Sequence, residues 1–185
     1  MLTLFHDYTS AGSAVAVLRV QRLADEGCAV VFEGFEAIGV DATLPVTVDV
    51  LAAIEELTDQ AAAEGLNLRR PFALPPTARA HLLGALAEAA GLGASWRQVC
   101  YRSFWEDGRD LSDPAVLVEL GQRAGLEPAD VRSALRDRSA LAAVRRRAGR
   151  HRRNGVGGVP TILASRTLVP GLLAEDDLRL LARLP

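Results

Sequence analysis

The sequence predicts an α/β fold in which a long all-helical segment is inserted into a small strand-containing domain. Three observations carry this prediction. The chain opens in the order strand, helix, strand; it has no strand pattern between residues 77 and 153; and it closes with two short strand patterns and a helix. A β-α-β opening favours two parallel strands joined by a right-handed crossover. We expect residues 1–70 and 154–185 to form the strand-containing domain and residues 71–153 the helical insertion.

The first three elements follow from local hydrophobic patterns. Residues 2–5 form a short apolar run that is typical of a buried strand. Residues 14–27 carry apolar side chains at helical spacing, and Gly27 is suited to end that helix. Residues 28–35 are rich in β-branched and aromatic side chains, which predicts the second strand.

The rest of the chain is mainly helical until a late change of character. Residues 46–65 are predicted to be one helix, and residues 77–153 four or five more, separated by glycines and by acidic residue–proline pairs. Residues 159–163 predict a strand entered at a proline, and residues 167–169 a strand that pairs with it as a hairpin. The chain then closes with a predicted helix.

Composition excludes several classes of protein. With 185 residues, of which 49% are apolar and 24% charged, and a net charge of −2, the chain can form one folded core and is not expected to be disordered. No apolar stretch approaches the roughly 18 residues of a membrane span. The first residues lack the pattern of a signal peptide, so we expect a cytoplasmic protein. The charge balance argues against nucleic-acid binding.

Charge is distributed unevenly along the sequence. Residues 23–68 contain ten acidic residues and no basic one, whereas residues 132–153 contain nine arginines and one acid. Two solvated helical faces that attract each other would explain this pattern. An arginine surface that attracts anions is the alternative.

Cysteine and histidine do not form a recognisable site in the sequence. Cys28 and Cys100 lie far apart, no CxxC pair exists, and the three histidines are scattered, so no structural metal is expected. Both cysteines are predicted to be core residues. His6, on the first strand, is predicted to face solvent or an interface.

An aromatic group in the helical segment is predicted to form a cluster. It comprises Trp96, Tyr101, Phe104 and Trp105. The alternative is that these side chains line the cleft that faces Ser10.

Three motifs in order resemble the DsbA family, whose fold is thioredoxin-like with an inserted helical sub-domain. The loop GGVPT at 157–161 resembles the family's GVPT loop. The segment FWEDGRDLSD at 104–113 resembles a segment of the FrnE-like and 2-hydroxychromene-2-carboxylate isomerase-like branches. FHDYTS at 5–10 lies where those proteins carry strand one and the active-site turn. The resemblance covers nearly the whole chain and implies a thioredoxin-like fold.

The chain departs from the oxidising members of that family at the active-site turn. Ser10-Ala11-Gly12-Ser13 occupies the position of Cys-x-x-Cys, and a serine hydroxyl cannot exchange with a disulfide. The isomerase and the kappa-class glutathione transferases carry Ser-Pro-Tyr-Ser there, and the first serine holds the sulfur of glutathione as a thiolate. The resemblance therefore assigns Ser10 and Ser13 to the catalytic turn. A hydroxyl at a helix N-terminus is also, on physical grounds, a good site for an anion.

Other site residues follow from the same resemblance. Pro160 would be cis, facing Ser10, with the Val159 backbone exposed to a ligand. Asp7 could accept a proton or orient Ser10, or it could be a structural acceptor in the turn. Gly171 is followed by two leucines, where kappa-like relatives carry polar anchors for glutathione. Arg150, Arg152 and Arg153 lie just before the proline loop and could replace a carboxylate anchor, with Arg153 as the selected candidate; a solvated helix face is the alternative.

The function implied is that of an isomerase or transferase which uses glutathione or another low-molecular-weight thiol on a hydrophobic electrophile. The alternative is a catalytically degenerate thioredoxin-fold protein that binds a ligand or partner. A third hypothesis keeps an oxidoreductase role through Cys28 or Cys100. The oligomeric state is left open, with a homodimer as one alternative.

Overall fold

A four-stranded mixed sheet forms the centre of the molecule. The computed structural model describes residues 1–184. The strands are β1 (Leu2–His6), β2 (Val30–Gly34), β3 (Thr161–Ala164) and β4 (Thr167–Pro170), in the order β2-β1-β3-β4. β1 pairs parallel with β2 and antiparallel with β3, and β3 pairs antiparallel with β4. The predicted β-α-β opening and closing hairpin are both confirmed.

Eight helices are described in residues 1–184. They are α1 (Ala11–Asp25), α2 (Val48–Ala63), α3 (Ala78–Ala89), α4 (Gly93–Trp105), α5 (Pro114–Ala124), α6 (Pro128–Arg136), α7 (Arg138–Arg153) and α8 (Glu175–Ala182). Five of them, α3 to α7, lie in the segment predicted to hold four or five. No helix within residues 1–184 is long and apolar enough to cross a membrane.

Hydrogen bonds at both ends of α1 determine where this helix begins and ends. The Ser10 hydroxyl accepts a hydrogen bond from the Ser13 amide at 3.1 Å, which satisfies one of the free N–H groups of the first turn. Gly27 follows the helix with a φ of +94°, and the Cys28 amide then bonds back to the Leu23 carbonyl at 2.9 Å. This closing turn uses Cys28, so the second strand begins at Val30, two residues later than the pattern predicts.

Helices cover both faces of the sheet. Side chains alternate along β1, so Leu2 and Leu4 join the main core with α1, while Phe5 packs in a second cluster with Ala148 of α7. His6 is therefore buried, with 3% of its surface exposed, and the expectation that it faces solvent was wrong. A strand covered on both faces has no solvent side for its alternation to reveal.

The core is continuous from the strands into the helical insertion. Leu4 and Val15 belong to the same cluster of buried residues as Leu117 and Leu120. The four aromatic residues of α4 are all buried in the main core and at most 2% exposed, and among them Phe104 and Trp105 make a ring contact with centroids 4.9 Å apart. Cys100 lies beside them and is fully buried, whereas Cys28 is only partly buried.

The acidic and arginine-rich blocks contact each other, as predicted, but the acidic partners lie on β2 and the loop after it and not on a helical face. Arg147 of α7 lies 2.7 Å from the Glu33 carboxylate, and Arg145 lies 2.9 Å from that of Asp41. Arg152 donates to the Ala37 carbonyl at 3.1 Å. These pairs bind α7 to β2 and to the loop that follows it.

Candidate functional site

A cavity of about 490 Å³ opens at the N-terminus of α1. The segment before α1, the loop after β2, one face of α2 and the loop before β3 enclose it. Its wall comprises Thr9, Ser10, Ala11, Gly12, Ala37, Ile38, Asp49, Val50, Ala53, Glu56, Leu57, Leu74, Val159, Pro160 and Leu172. The apolar members of this set come from six separate parts of the chain. The cavity is called the Ser10 cavity below.

Ser10 presents hydrogen-bond donors to this cavity. Its hydroxyl oxygen is engaged as the acceptor for the Ser13 amide, and within residues 1–184 its own proton has no acceptor. The amides of Ala11 and Gly12 belong to the first turn of α1, have no partner among the described residues, and line the cavity. A hydroxyl and two amides at the positive end of a helix are, on physical grounds, suited to bind an anion.

The late proline loop forms the part of the cavity wall next to the first turn of α1. The Val159–Pro160 peptide bond is cis, as the resemblance predicts. Pro160 packs against the first turn of α1 so closely that a Cβ atom built on Gly12 would lie 3.0 Å from Pro160 Cδ. Val159 lines the cavity together with Pro160. The hydroxyl that opens the first helix and the cis peptide therefore share one cavity.

Ser13 and Asp7 lie behind the cavity rather than in its wall. Ser13 is fully buried, and its hydroxyl accepts a hydrogen bond from the Asp7 amide at 3.2 Å. The Asp7 carboxylate is 1% exposed and accepts from the Ala37 amide at 2.7 Å. Neither side chain reaches the surface that Ser10 presents, so the geometry favours a positioning role for both.

A histidine from the helical insertion completes the surroundings of Asp7. His81 Nε2 on α3 lies 3.2 Å from Asp7 Oδ1, and both side chains are 1% exposed. Burial alone would raise the pKa of the Asp7 carboxyl, but the hydrogen bond from His81, its charge and the Ala37 amide together outweigh burial and lower that pKa. The sequence gives no local signal for this pair, which is separated by 74 positions.

Aromatic side chains of α4 fix the backbone just before Ser10. The Tyr101 hydroxyl donates to the Asp7 carbonyl at 3.1 Å and accepts from His6 Nδ1 at 3.0 Å. Trp105 Nε1 donates to the Tyr8 carbonyl at 3.1 Å. The aromatic cluster thus supports the site from behind and does not line the Ser10 cavity.

Comparison with known proteins agrees with this architecture. The DSBA-like thioredoxin domain matches residues 1–181. The chain belongs to the DsbA-like thioredoxin family. No curated protein sequence matches it. Among solved structures, a "probable DsbA oxidoreductase" from Streptomyces coelicolor is similar at 26% identity and a TM-score of 0.83, covering 100% of this chain and 91% of that one.

Two more distant structures share the DsbA-like fold. A 2-hydroxychromene-2-carboxylate isomerase is 17% identical with a TM-score of 0.77, covering 97% of this chain and 91% of that one. The cytosolic disulfide reductase DsbM from Pseudomonas aeruginosa, solved with GSH, is 23% identical with a TM-score of 0.67, covering 98% and 92%.

Within this DsbA-like fold, the predicted arginine anchor does not line the cavity. Arg153 is exposed at the C-terminal end of α7, outside the Ser10 cavity. Arg152 turns away to the carbonyls of Glu36 and Ala37. Leu172 of the leucine pair lines the cavity and adds to its apolar wall.

Cysteine chemistry has little support in this DsbA-like chain. The turn at Ser10 contains no thiol, so this turn cannot form a disulfide with a substrate. Burial raises the pKa of the Cys100 thiol well above its ordinary value, and such a thiol is inert. Cys28 lies at the other end of α1 from Ser10.

Proposed function

We propose that this protein is a thiol-dependent isomerase or transferase that binds glutathione or another low-molecular-weight thiol in the Ser10 cavity and acts on a hydrophobic electrophile. One observation carries the proposal: the unused hydroxyl proton of Ser10, two free helix amides and the cis Val159–Pro160 peptide border one largely apolar cavity. The reaction would take place in the cytoplasm, where thiols are kept reduced.

The Ser10 hydroxyl would donate a hydrogen bond to the sulfur atom of the bound thiol. A thiolate receives a hydrogen bond from the Ser10 hydroxyl more favourably than a thiol does, so this contact and the helix dipole lower the pKa of the bound thiol. The proton passes to solvent. The Val159 backbone, next to the cis bond, would hold the amide or other polar part of the guest by strand-like hydrogen bonds.

The apolar wall would hold the electrophile. Ile38, Val50, Leu57, Leu74 and Leu172 line the cavity beside Ser10. The thiolate forms a C–S bond with the electrophilic carbon of a double bond conjugated to a carbonyl, and the π electrons of that double bond move to the carbonyl oxygen as an enolate. In a transfer, the enolate carbon takes up the proton that the thiol released to solvent, and the C–S bond persists. In an isomerisation, the former double bond rotates, the enolate expels the thiolate as the double bond forms again, and the thiol takes its proton back.

Substitution of Ser10 tests the proposal. The assay follows the consumption of an apolar enone, 4-phenylbut-3-en-2-one, with glutathione, 2-mercaptoethanol or cysteamine as the thiol. We expect Ser10→Ala to lower kcat/KM by about tenfold or more, because one hydrogen bond to the developing thiolate is lost. Ser10→Thr keeps a hydroxyl and should retain most of the activity.

Loss of the helix cap needs its own control, because Ser10→Ala also costs about 1 kcal/mol of stability. Asp137 caps α7 by accepting from the Ser139 amide at 2.8 Å, and α7 does not line the Ser10 cavity. Asp137→Ala should lower stability similarly and leave turnover unchanged. Equal turnover by wild type and Ser10→Ala would remove Ser10 from the mechanism. Thiol binding that depends on Ser10, without turnover of any enone, would favour the degenerate ligand-binding alternative.

A further inference from the structure

The charged side chains in the wall of the Ser10 cavity are all of one sign. Asp49 and Glu56 are the charged residues among its described lining, and both are exposed on α2. They are seven positions apart, with Ala53 between them, so they lie on the same face of the helix as the apolar wall. A guest held at Ser10 thus has carboxylates beside it.

Neither carboxylate is neutralised within residues 1–184. Asp49 and Glu56 have no ion-pair partner there, and no arginine or histidine belongs to the described wall of the Ser10 cavity. A second cavity, of about 550 Å³, adjoins the first and shares Glu56, Leu57 and Leu172 with it. Each guanidinium nitrogen of its arginine, Arg19, already donates a hydrogen bond within the protein.

The contacts of Arg19 show why it cannot receive a carboxylate of the guest. Its guanidinium donates to Glu64 at 3.0 Å, to the Leu173 carbonyl at 2.9 Å and to Gln60 at 2.9 Å. The path from Ser10 along α2 therefore offers two uncompensated negative charges and no free cation among the described residues. A carboxylate of a guest would be repelled along this path, and an ammonium would be attracted.

We propose that the Ser10 cavity selects a thiol that carries an amine and no carboxylate, with Asp49 and Glu56 as the specificity-determining residues. This inference rests on the proposed function, because it assumes that the sulfur lies at Ser10. Glutathione, which carries two carboxylates and one ammonium, is then a poor ligand. An ammonium near the sulfur also helps to lower the pKa of the thiol, so it assists the step assigned to Ser10.

A series of three thiols of similar size tests the selection by charge. Cysteamine, 2-mercaptoethanol and 3-mercaptopropionate carry charges of about +1, 0 and −1 at neutral pH. Each is titrated into the wild-type protein at low ionic strength, and the amide NMR signals of Gly12 and Val159 report binding. We expect cysteamine to bind about tenfold more tightly than 3-mercaptopropionate, with 2-mercaptoethanol between them, and the difference to shrink in 0.5 M salt.

Matched variants assign the preference to the two carboxylates. The double variant Asp49→Asn, Glu56→Gln should bind the three thiols within about twofold of one another. Glu55→Gln, Asp59→Asn removes two carboxylates from the same helix that do not line either cavity, and should keep the wild-type order. The proposed selection by charge is wrong if wild type binds the three thiols equally. It is also wrong if the variant Asp49→Asn, Glu56→Gln keeps the wild-type order of affinities.

Ser10→Ala separates this inference from the proposed function. If Ser10→Ala weakens the binding of all three thiols, and wild type binds the three equally, the proposed thiol site is supported and the selection by charge is wrong. If Ser10→Ala binds all three as wild type does, or if wild type shifts no Gly12 or Val159 signal with any thiol, the sulfur site and the selection both fail.

Discussion

Gly12 lies directly against Pro160. A Cβ atom added to Gly12 would lie 3.0 Å from Pro160 Cδ, which is closer than side chains normally pack, and 3.9 Å from Leu57 Cδ1, which is an ordinary contact distance. The absence of a side chain at Gly12 is thus what lets the proline loop close against the first turn of α1. The Ser10 cavity owes its shape to this contact.

Substitution of Gly12 should therefore affect binding without the usual gain in stability. Gly→Ala in a helix normally stabilises a protein by up to about 1 kcal/mol. Gly149, in α7, meets only Arg153 Nη1 at 3.7 Å, so Gly149→Ala should show this gain. Gly12→Ala should show none, because displacement of Pro160 offsets it, and it should weaken thiol binding. Urea unfolding of both variants gives the comparison, and equal stabilisation of the two would contradict the close contact.

Removal of the negative charge is expected to change the free energy of unfolding in opposite directions at two buried carboxylates, Asp7 and Glu36. Asp7→Asn should lower the free energy of unfolding at pH 7 by about 2 kcal/mol, because a charge-assisted hydrogen bond to His81 is lost. Contacts hold the pKa of Asp7 below its ordinary value, so its contribution is complete above about pH 4 and lost as the pH falls further.

Glu36 provides the matched comparison. It is 3% exposed and accepts from the Ala78 amide at 3.2 Å, and burial raises its pKa despite that hydrogen bond. The fold therefore disfavours its charged form. Glu36→Gln keeps an acceptor for Ala78 and should raise the free energy of unfolding at pH 7 by up to about 1 kcal/mol. Urea unfolding measures both variants. A lower free energy of unfolding in both Asp7→Asn and Glu36→Gln would show that the fold favours the charged form at both sites.

His6 should make the protein less stable in mild acid. Burial lowers the pKa of His6 well below 6.5, with a further lowering by the positive charges of His81 and Arg97. The unfolded chain then takes up a proton near pH 6.5 that the folded protein does not. The free energy of unfolding should fall as the pH drops below about 6.5, by at most about 1.4 kcal/mol per pH unit from this group.

Substitution of His6 isolates this effect from other titrations. His6→Asn cannot ionise, yet its amide can still donate to the Tyr101 hydroxyl, so the fall between pH 7 and pH 5 should be reduced. His151→Asn replaces a less buried histidine that contacts Phe5, and should keep the fall. The interpretation fails if His6→Asn has the same pH dependence as wild type.

The two cysteines should differ in reactivity. Cys100 is fully buried and burial raises the pKa of its thiol, whereas Cys28 is partly exposed. A coloured disulfide reagent should label one thiol of the native protein, and the second only after unfolding in denaturant. In Cys28→Ser the native protein should give almost no labelling. Rapid native labelling of that variant would show that α4 opens far more often than its packing indicates.

The sequence predicted the parts of the site that depend on local signals. Ser10 is followed by a helix pattern and has a side chain that caps helices, and Pro160 lies in a loop that resembles a family motif. Both the cap and the cis bond are confirmed. The attraction between the acidic and the arginine-rich blocks could also be predicted, because each block is continuous in sequence.

The supporting residues were harder to predict because they are joined only in three dimensions. His81 and Asp7 lie 74 positions apart, and an isolated histidine in a helix gives no indication of its partner. His6 was misplaced because alternation along a strand does not reveal whether its second face is covered. Arg153 was a reasonable anchor by sequence distance from Pro160, but its direction depends on the rotation of α7, which short-range patterns do not define.

Because α3 and α4 hold the segment that precedes Ser10, through His81, Tyr101 and Trp105, the helical insertion is not an interchangeable module. An engineer who grafted the insertion of a relative into this chain would have to transplant the matching residues at 6–8 with it. Otherwise the chimera would keep its fold and lose the placement of the turn at Ser10.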